Sequence, residues 1–513
     1  MSIALLSLLF ALQAMQGSSA QSSESGAPAA APASAAAPTP VQTLRADLAT
    51  AQQASDRNDP VIAGPIYERA LKDPLFRGLS AEERHDALKN AAWIDYLEGR
   101  FSRAAQRTQA AMAIRDDDPD DAYHLMLIDL AAKRPTQAAD RMLALLRRWS
   151  FAKENIASER FYEIAEALEG RPAEKAAYLQ GLFDLGWDDG ENNASSLWMD
   201  LIDLRLARGE LAQAKQTLER VDGASEMIHL RVDRRYDAIV DRASPRFDAA
   251  ASAQRAVDAL EVKARARPAN LAVRVQLTYA LLDAGRLDRV IEVVDEALGA
   301  NAKNRLKSVK FDDPDQMEWL LNNRAMARFR LGQTDQAIAD MRRASAQGAG
   351  DAVNVGTGLN LGALYCALGR ADDARAAVAT VPEADMSDFG RAVRAVQQVC
   401  AAVITGDAAQ QAQAMAFLRA HRRDIPESYF DALLLLGRLD EAAAQLIAEL
   451  DDPDRRGDRL AQAQDTLQAP EYDGNRRWRA SYRALLARPD VHAAIERVGR
   501  IERDDVYVGH DFN

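Results

Sequence analysis

The sequence is poor in the residues that build sheets and disulfide frameworks. Phe, Trp and Tyr together make up 6% of the 513 residues, and the chain has two cysteines. Strands are rich in β-branched and aromatic residues, whereas the apolar residues here are largely Ala and Leu, which favour helices. Two cysteines are too few for a disulfide scaffold. The composition therefore predicts an all-α protein.

Several catalytic and ligand-binding motifs are also missing. The sequence has no phosphate-binding GxxxxGK[ST] loop, no GxSxG elbow and no HExxH zinc motif. The six histidines stand apart from one another along the chain, at His85, His124, His229, His421, His492 and His510. We therefore expect no catalytic residue, no metal and no cofactor, and we interpret the protein as non-enzymatic.

The charge pattern excludes two further classes of partner. A formal net charge of -13 argues against a general nucleic-acid-binding protein. After the N-terminal residues, no uncharged stretch is long enough to cross a bilayer, so we expect no integral membrane span.

The N-terminus has the features of an export signal. Residues 1–20 contain no charged side chain, Ile3 to Ala14 is apolar, and small residues follow at Gly17 to Ala20. This order is typical of a signal peptide, although no Lys or Arg precedes the apolar run. We expect cleavage after residue 20, a periplasmic and envelope-associated location, and no lipid anchor. The alternatives are a start assigned too late or an apolar N-terminal fragment.

Residues 21–40 form a segment of different composition. It consists mainly of Ala, Ser and Pro, with Pro28, Pro32, Pro38 and Pro40. Because it has no bulky apolar side chains to bury, we expect a disordered linker.

From residue 41 onward the sequence predicts helix pairs that repeat along the chain. Turn glycines recur at Gly99, Gly170, Gly209, Gly285, Gly332, Gly369, Gly406 and Gly437. Lys133 and Ser244-Pro245 mark turns within the two longest intervals. Five residues after a turn glycine the sequence repeatedly has alanine, at Ala104, Ala214, Ala337, Ala374 and Ala442, with Val290 in the Gly285 repeat. The last four turn glycines are spaced 37, 37 and 31 residues apart.

The stretch from Asn360 to Val381 carries the pattern most completely. It combines Leu361, Gly362 and Tyr365 with the turn Gly369 and then Ala374. This resembles the tetratricopeptide repeat, a helix-turn-helix unit of about 34 residues. The resemblance covers residues 41–450 and is best over 271–450. It implies a right-handed α-solenoid of about ten such repeats, with a concave groove that binds proteins or extended peptides.

Two segments depart from the repeat. Gly285 and Gly332 are 47 residues apart, and the surplus near residues 301–310 predicts a protruding basic loop. Residues 451–513 predict a C-terminal helical cap, since the last repeat leaves an apolar face exposed, followed by a frayed tail from Asp504.

The two cysteines, Cys366 and Cys400, fall in the first helices of neighbouring repeats. Because adjacent helix axes are about 8–10 Å apart, we expect buried free thiols rather than a disulfide.

The resemblance also indicates which side chains line the groove. Counting back from the turns along each first helix, the predicted ligand-groove residues are Lys89, Trp93, Tyr96, Tyr123, Arg160, Tyr279 and Asn322. The groove would be aromatic and basic at its start and acidic near its end, at Asp424, Glu427 and Asp431. Aromatic residues and Arg are the usual anchors of recognition surfaces. The alternative is that Trp93 and Tyr96 pack between repeats.

Three functions are consistent with this pattern. The first is a non-enzymatic periplasmic scaffold that binds a protein or an extended peptide. The second is an accessory subunit of an envelope polysaccharide export or assembly system. The third, a cytoplasmic regulator, applies if the N-terminal segment is not a signal. The oligomeric state does not follow from the sequence.

Overall fold

The structure is a computed structural model that describes residues 38–189, 194–299, 310–346 and 354–508. The predicted signal peptide, the linker up to residue 37 and nearly all of the predicted basic loop lie outside the described residues, as do His510 and the end of the predicted tail. Within the described ranges, no helix combines the length and apolar character that a bilayer span requires.

Most of the described part of the chain is helical, and its strands are two of two residues each. The first group of helices is α1 (Pro40–Asp56), α2 (Pro60–Lys72), α3 (Ala81–Leu97), α4 (Phe101–Met112), α5 (Pro119–Ala131), α6 (Pro135–Arg148), α7 (Ala152–Asn155), α8 (Glu159–Ala167), α9 (Pro172–Asp184) and α10 (Ser195–Ala207).

The second group is α11 (Leu211–Leu218), α12 (Ala224–Val232), α13 (Ala249–Ala266), α14 (Leu271–Asp283), α15 (Leu287–Ala297), α16 (Met317–Arg330), α17 (Thr334–Ser345), α18 (Val355–Ala367), α19 (Ala371–Ala379), α20 (Asp388–Thr405), α21 (Ala408–Ala420), α22 (Pro426–Leu436), α23 (Leu439–Asp451), α24 (Pro453–Gln462), α25 (Arg476–Leu486) and α26 (Pro489–Val498). The strands are β1 (Asp465–Thr466) and β2 (Arg503–Asp504).

These elements form two compact units. We call residues 38–189 together with 200–208 the N-terminal unit, and residues 194–199 together with 209–508 the C-terminal unit. Helix α10 contributes residues to both.

The helix boundaries follow from local chemistry. A capping box starts α3, where the Ser80 hydroxyl accepts from the Glu83 N–H and the Glu83 carboxylate accepts from the Ser80 N–H. At the other end, every predicted turn glycine adopts the left-handed conformation, with φ between 67° and 78°. Lys133 takes the same role with φ of 60°. The left-handed residue ends one helix and lets the next return beside it.

The alanines after the turns lie where the two helices of a pair meet. The equivalent Val290 is 0% exposed, and the exposed fraction is at most 1% for Ala104, Ala214, Ala337, Ala374 and Ala442. Small residues here allow the returning helix to pack closely. The predicted all-α array of helix-turn-helix repeats is therefore confirmed.

Gly362 on α18 lies in close contact with the two helices that follow it. A Cβ atom at this position would lie 2.4 Å from Gln397 Oε1 and 2.7 Å from Val378 Cγ2. A side chain would have to displace both neighbours, so the small residue at Gly362 allows α19 and α20 to pack closely on α18.

The C-terminal residues do more than cap the last repeat. Helices α25 and α26 pack on α22 and α23, as a cap would. The two strands β1 and β2 pair in parallel, with Asp465 opposite Arg503 and Thr466 opposite Asp504. Val506 is 0% exposed. The prediction of a frayed tail from Asp504 is therefore wrong for residues 504–508, because these residues pair and pack.

The C-terminal residues also connect the two ends of the C-terminal unit. Helix α24 packs against α12, near the start of the unit. Gly499 forms a β-bridge with Asp233. The Arg500 guanidinium donates to both carboxylate oxygens of Asp237, at 2.8 and 2.7 Å. Early and late elements of this unit are thus joined directly.

Candidate functional site

Aromatic side chains from α3 and α5 gather on one surface of the N-terminal unit. The Trp93 and Tyr96 rings stack with centroids 5.1 Å apart, and Trp93 also stacks on the His124 imidazole at 5.3 Å. The Trp93 indole N–H donates to Asn58 Oδ1 at 3.1 Å. Trp93 and Tyr96 stay half-buried. They pack between repeats and still present part of their surface to solvent.

Arg160 on α8 adds a positive charge to this group. It forms an ion pair with Glu163 and interacts with the Tyr123 hydroxyl. Burial raises the pKa of Tyr123, and the neighbouring Arg160 partly offsets that rise. We call Trp93, Tyr96, Tyr123 and Arg160 the aromatic patch. Four of the seven predicted groove residues therefore lie together.

Lys89 lies one helical turn before Trp93 on α3 but is held by carboxylates. Its ammonium donates to Asp118 at 2.8 Å and to Asp120 at 3.0 Å. Its charge also contributes to lowering the pKa of His124. Lys89 thus borders the aromatic patch, with its ammonium already paired.

His124 is a polar group inside the patch that the sequence did not single out. Burial lowers its pKa to about 4, so the imidazole is neutral at physiological pH. Its Nδ1 is buried without a hydrogen-bond partner among the described residues. Its place one residue after Tyr123 gave no signal, because adjacent residues on a helix face different directions.

The other two predicted groove residues, Tyr279 and Asn322, lie in the C-terminal unit and contact residues of its interior. The Asn322 side chain is 2% exposed. It accepts from the Asn360 amide at 2.9 Å and donates to Asn323 at 3.1 Å. Tyr279 packs on the core formed by α14, α15 and α16. An incoming ligand would have to break this packing to reach Asn322.

The chain itself covers one edge of the C-terminal unit. We call residues 465–475 the crossing segment, because they follow the ends of successive first helices. The Tyr472 hydroxyl donates to the Phe329 carbonyl at 2.7 Å, and the Gly474 N–H donates to the Ala367 carbonyl at 3.0 Å. These carbonyls are at helix C-termini, where backbone acceptors have no partner within the helix.

Two residues that follow the crossing segment in the chain make similar contacts with further helices. The Tyr507 N–H donates to the Asp283 carbonyl at 2.9 Å, and the Arg330 guanidinium lies 3.9 Å from the Tyr507 ring centroid. The Trp478 indole N–H donates to Asp431 at 3.2 Å. Asp431 belongs to the predicted acidic end of the groove. Part of that acidic end is therefore bonded to the protein's own C-terminal helix.

One cluster in the N-terminal unit has the residue types of a metal site. Ligand atoms of His85, Asp118 and Asp121 all lie within 4.8 Å of one another. His85 Nε2 is 2.8 Å from Asp121 Oδ2, and both side chains are 0% exposed. The sequence did not suggest this grouping, because His85 is on α3 and the two aspartates begin α5.

The two cysteines are buried free thiols in the structure. The Cys366 thiol donates to the Gln397 carbonyl at 3.5 Å. Interaction with Cys400 and burial together raise the pKa of Cys366 well above its ordinary value. The thiols are thus neighbours, which the expected spacing of helix axes did not anticipate.

Comparison with known proteins bears on one part of the array. Residues 328–399 match the family model described as tetratricopeptide repeat. No curated protein sequence matches the chain.

Three solved structures are similar over long stretches at low identity. A tetratricopeptide repeat protein from Parabacteroides merdae is 10% identical, with 60% of this chain and 94% of that chain covered and a TM-score of 0.29. Yeast Tom70 is 12% identical, with 82% and 100% covered and a TM-score of 0.23. Cut9-Hcn1 of the APC/C is 12% identical, with 82% and 97% covered and a TM-score of 0.21. Scores this low carry no argument about what this chain binds.

Proposed function

The chain is a tetratricopeptide repeat protein, and from this premise we propose that its N-terminal unit binds an extended protein segment over the aromatic patch. The observation that carries this proposal is the convergence of Trp93, Tyr96, Tyr123 and Arg160 on one surface, with Trp93 and Tyr96 only half-buried. Half-buried aromatic rings beside an Arg are the side chains that most often anchor protein interfaces.

The chemistry of the patch favours a particular kind of segment. The stacked Trp93 and Tyr96 rings offer flat apolar surface to an apolar or aromatic side chain of the partner. Arg160 shares its charge with Glu163, and a carboxylate on the partner would compete for it. We therefore expect a segment that carries an apolar or aromatic residue next to an acidic one.

The C-terminal unit has a different part in this proposal. Its first-helix ends are already bonded by the crossing segment, and Asn322 is bonded to its own neighbours. Partner binding is thus assigned to the N-terminal unit, and the C-terminal unit acts as a self-contained scaffold.

We also propose that the protein acts in the periplasm as an envelope-associated scaffold. The support is the apolar, uncharged N-terminal stretch with small residues at Gly17 to Ala20. Fractionation of the native host followed by N-terminal sequencing tests this location. A mature N-terminus near Gln21 in the periplasmic fraction supports it, whereas an intact Met1 in the cytoplasm favours the regulator hypothesis.

Site-specific photocrosslinking tests the binding surface. A photoreactive amino acid at Tyr123 should crosslink a partner from envelope extract, and combining Trp93→Ala with Arg160→Ala should reduce that crosslink at least tenfold. Truncated interface anchors often cost about 2 kcal/mol or more of binding free energy. The matched control is Asp424→Ala with Glu427→Ala, which alters the acidic end of the C-terminal unit and should leave the crosslink unchanged. If Asp424→Ala with Glu427→Ala reduced the crosslink and Trp93→Ala with Arg160→Ala did not, the acidic end would be the binding surface.

A further inference from the structure

The start of helices α3 and α5 holds a buried cluster that the binding proposal does not use. His85 lies in the second turn of α3, Asp118 caps α5, and Asp121 lies in its first turn. The His85 and Asp121 side chains are 0% exposed, and the Asp118 side chain is 11% exposed. Two carboxylates and an imidazole face one another here, near the aromatic patch yet separate from it.

Both ring nitrogens of His85 face a carboxylate. His85 Nδ1 is 3.0 Å from Asp86 Oδ1, and its Nε2 is 2.8 Å from Asp121 Oδ2. One proton is therefore shared between Nε2 and Asp121 Oδ2.

A second observation indicates that the cluster can accept a cation. Asp121 Oδ1 is buried and has no hydrogen-bond partner among the described residues, and the side chain is 0% exposed. A buried carboxylate oxygen without a donor is costly. A cation bound by the Asp121 carboxylate would compensate for the missing donor.

From these contacts we propose that His85, Asp118 and Asp121 form a binding site for a divalent transition metal of the zinc class. One imidazole nitrogen with two carboxylates is a ligand set that suits Zn²⁺, whereas Mg²⁺ and Ca²⁺ prefer oxygen ligands alone. The metal takes the place of the proton between Nε2 and Asp121 Oδ2, so one proton is released as the N–metal bond forms. Nδ1–H keeps its bond to Asp86, which is the usual orienting contact of a metal-bound histidine.

Lys89 is the competing cation at this site. Its ammonium donates to Asp118 Oδ2 and to the more exposed Asp120, and Arg115 lies 3.5 Å from Asp118. When the metal binds Asp118, Lys89 can keep its bond to Asp120. The site therefore switches between a lysine-paired form and a metal-bound form, with Asp86, Asp120, Lys89 and Arg115 as the charged groups around it.

Calorimetric titration of untagged, metal-stripped full-length protein with Zn²⁺ tests the proposal. We expect one Zn²⁺ per chain, retained in the presence of about a hundredfold excess of Mg²⁺, and uptake of the released proton by the buffer. Asp121→Asn, which preserves the shape of the side chain, should weaken binding at least about tenfold. Lys89→Met should tighten binding, because it removes the competing ammonium.

The matched control is His492→Ala. His492 is an exposed histidine with Glu496 one turn away at 3.5 Å, so it represents adventitious surface binding. This variant should leave the Zn²⁺ affinity unchanged. Absence of binding in the wild type overturns the proposal. Binding that survives Asp121→Asn, or is lost in His492→Ala, overturns it as well. Circular dichroism of each variant at the titration temperature shows that the protein being titrated is folded.

Discussion

The two units use the same repeat in different ways. In the N-terminal unit, the first helices carry half-exposed aromatic rings at Trp93 and Tyr96. In the C-terminal unit, the ends of the first helices are bonded by the chain's own residues, at Tyr472 and Gly474 among others. The comparison shows that a repeat array offers two kinds of binding surface. One depends on side chains and varies with sequence, and the other depends on backbone carbonyls that every first helix ends with.

This difference predicts which substitutions destabilise each unit. A unit closed by its own chain depends on the fit of that chain, whereas a unit with an open surface tolerates surface changes. Substitutions in each unit, paired with matched controls, test this comparison.

The largest effect is expected for Gly474→Ala. A Cβ at Gly474 would lie 1.7 Å from the Cys366 carbonyl oxygen and 2.6 Å from the Gly369 nitrogen. Because both are backbone atoms, the crossing segment must move away from α18, and we expect a loss of about 3 kcal/mol in the stability of the C-terminal unit. Urea unfolding and hydrogen exchange of the α18 amides measure it. Gly78→Ala in the N-terminal unit is the control, since nothing lies within 4 Å of its Cβ position. Equal effects of the two substitutions would contradict the closed-unit interpretation.

The second prediction concerns the pH dependence of the C-terminal unit. Burial raises the pKa of Glu318 to about 7 from an ordinary 4.5, although Asn354 donates to its carboxyl at 2.5 Å. A raised acid pKa gives stability that is complete below about pH 4.5 and is lost as pH rises through 7. The side chain in Glu318→Gln is uncharged at every pH. As the pH rises, the variant should therefore lose about 2 kcal/mol less of its unfolding free energy than the wild type. Hydrogen exchange in α16 and α18 between about pH 5 and about pH 8 measures it. If exchange in Glu318→Gln depends on pH as steeply as in the wild type, Glu318 is not the source of the pH dependence.

The N-terminal unit should respond to pH in the opposite direction at His124. Burial lowers the pKa of His124 to about 4, so the folded state favours the neutral ring. Stability from this group is present above its ordinary pKa of 6.5 and is lost as pH falls toward 4. His124→Phe should therefore reduce the acid sensitivity of α3 and α5 by about 2 kcal/mol, as measured by their exchange rates. If acid destabilises wild type and variant equally, another group is responsible.

A smaller effect on stability is expected for Trp93→Ala. The substitution removes the stacking on Tyr96 and His124 and the hydrogen bond to Asn58. Because Trp93 is only half-buried, we expect a loss of about 1 kcal/mol, confined to the N-terminal unit. The helical circular dichroism signal should be retained. Melting of the whole protein would show that Trp93 is a core residue and not part of an open surface.

The smallest effect is expected from reductant. Cys366 and Cys400 are free thiols in the C-terminal unit, so dithiothreitol should shift its melting temperature by less than about 1 °C. A drop of several degrees would show that these neighbouring thiols bond in the purified protein.

Much of the local structure was predictable because short-range chemistry encodes it. The left-handed turn residues, including Lys133, and the buried alanines after them lie where the spacing places them. The aromatic patch was partly predictable for the same reason. Trp93, Tyr96, Tyr123 and Arg160 occupy related positions in successive first helices, so stacking the repeats brings them together.

Other features have no such signal in the sequence. His85 and Asp121 are separated along the chain, and their contact depends on how α3 and α5 pack. The course of the crossing segment was missed because its main acceptors are backbone carbonyls, as at Ala367 and Phe329. Side-chain patterns do not show which carbonyls a later segment will reach.

The sequence by itself determined the repeating unit, because turn glycines and small contact residues act within about 34 residues of chain. The tertiary structure alone decided that residues 465–475 cover the C-terminal unit and that α24 meets α12. Such contacts join residues more than a hundred positions apart, as Tyr472 and Phe329 do at 143. They form only when the intervening helix pairs have set the distance and direction between them.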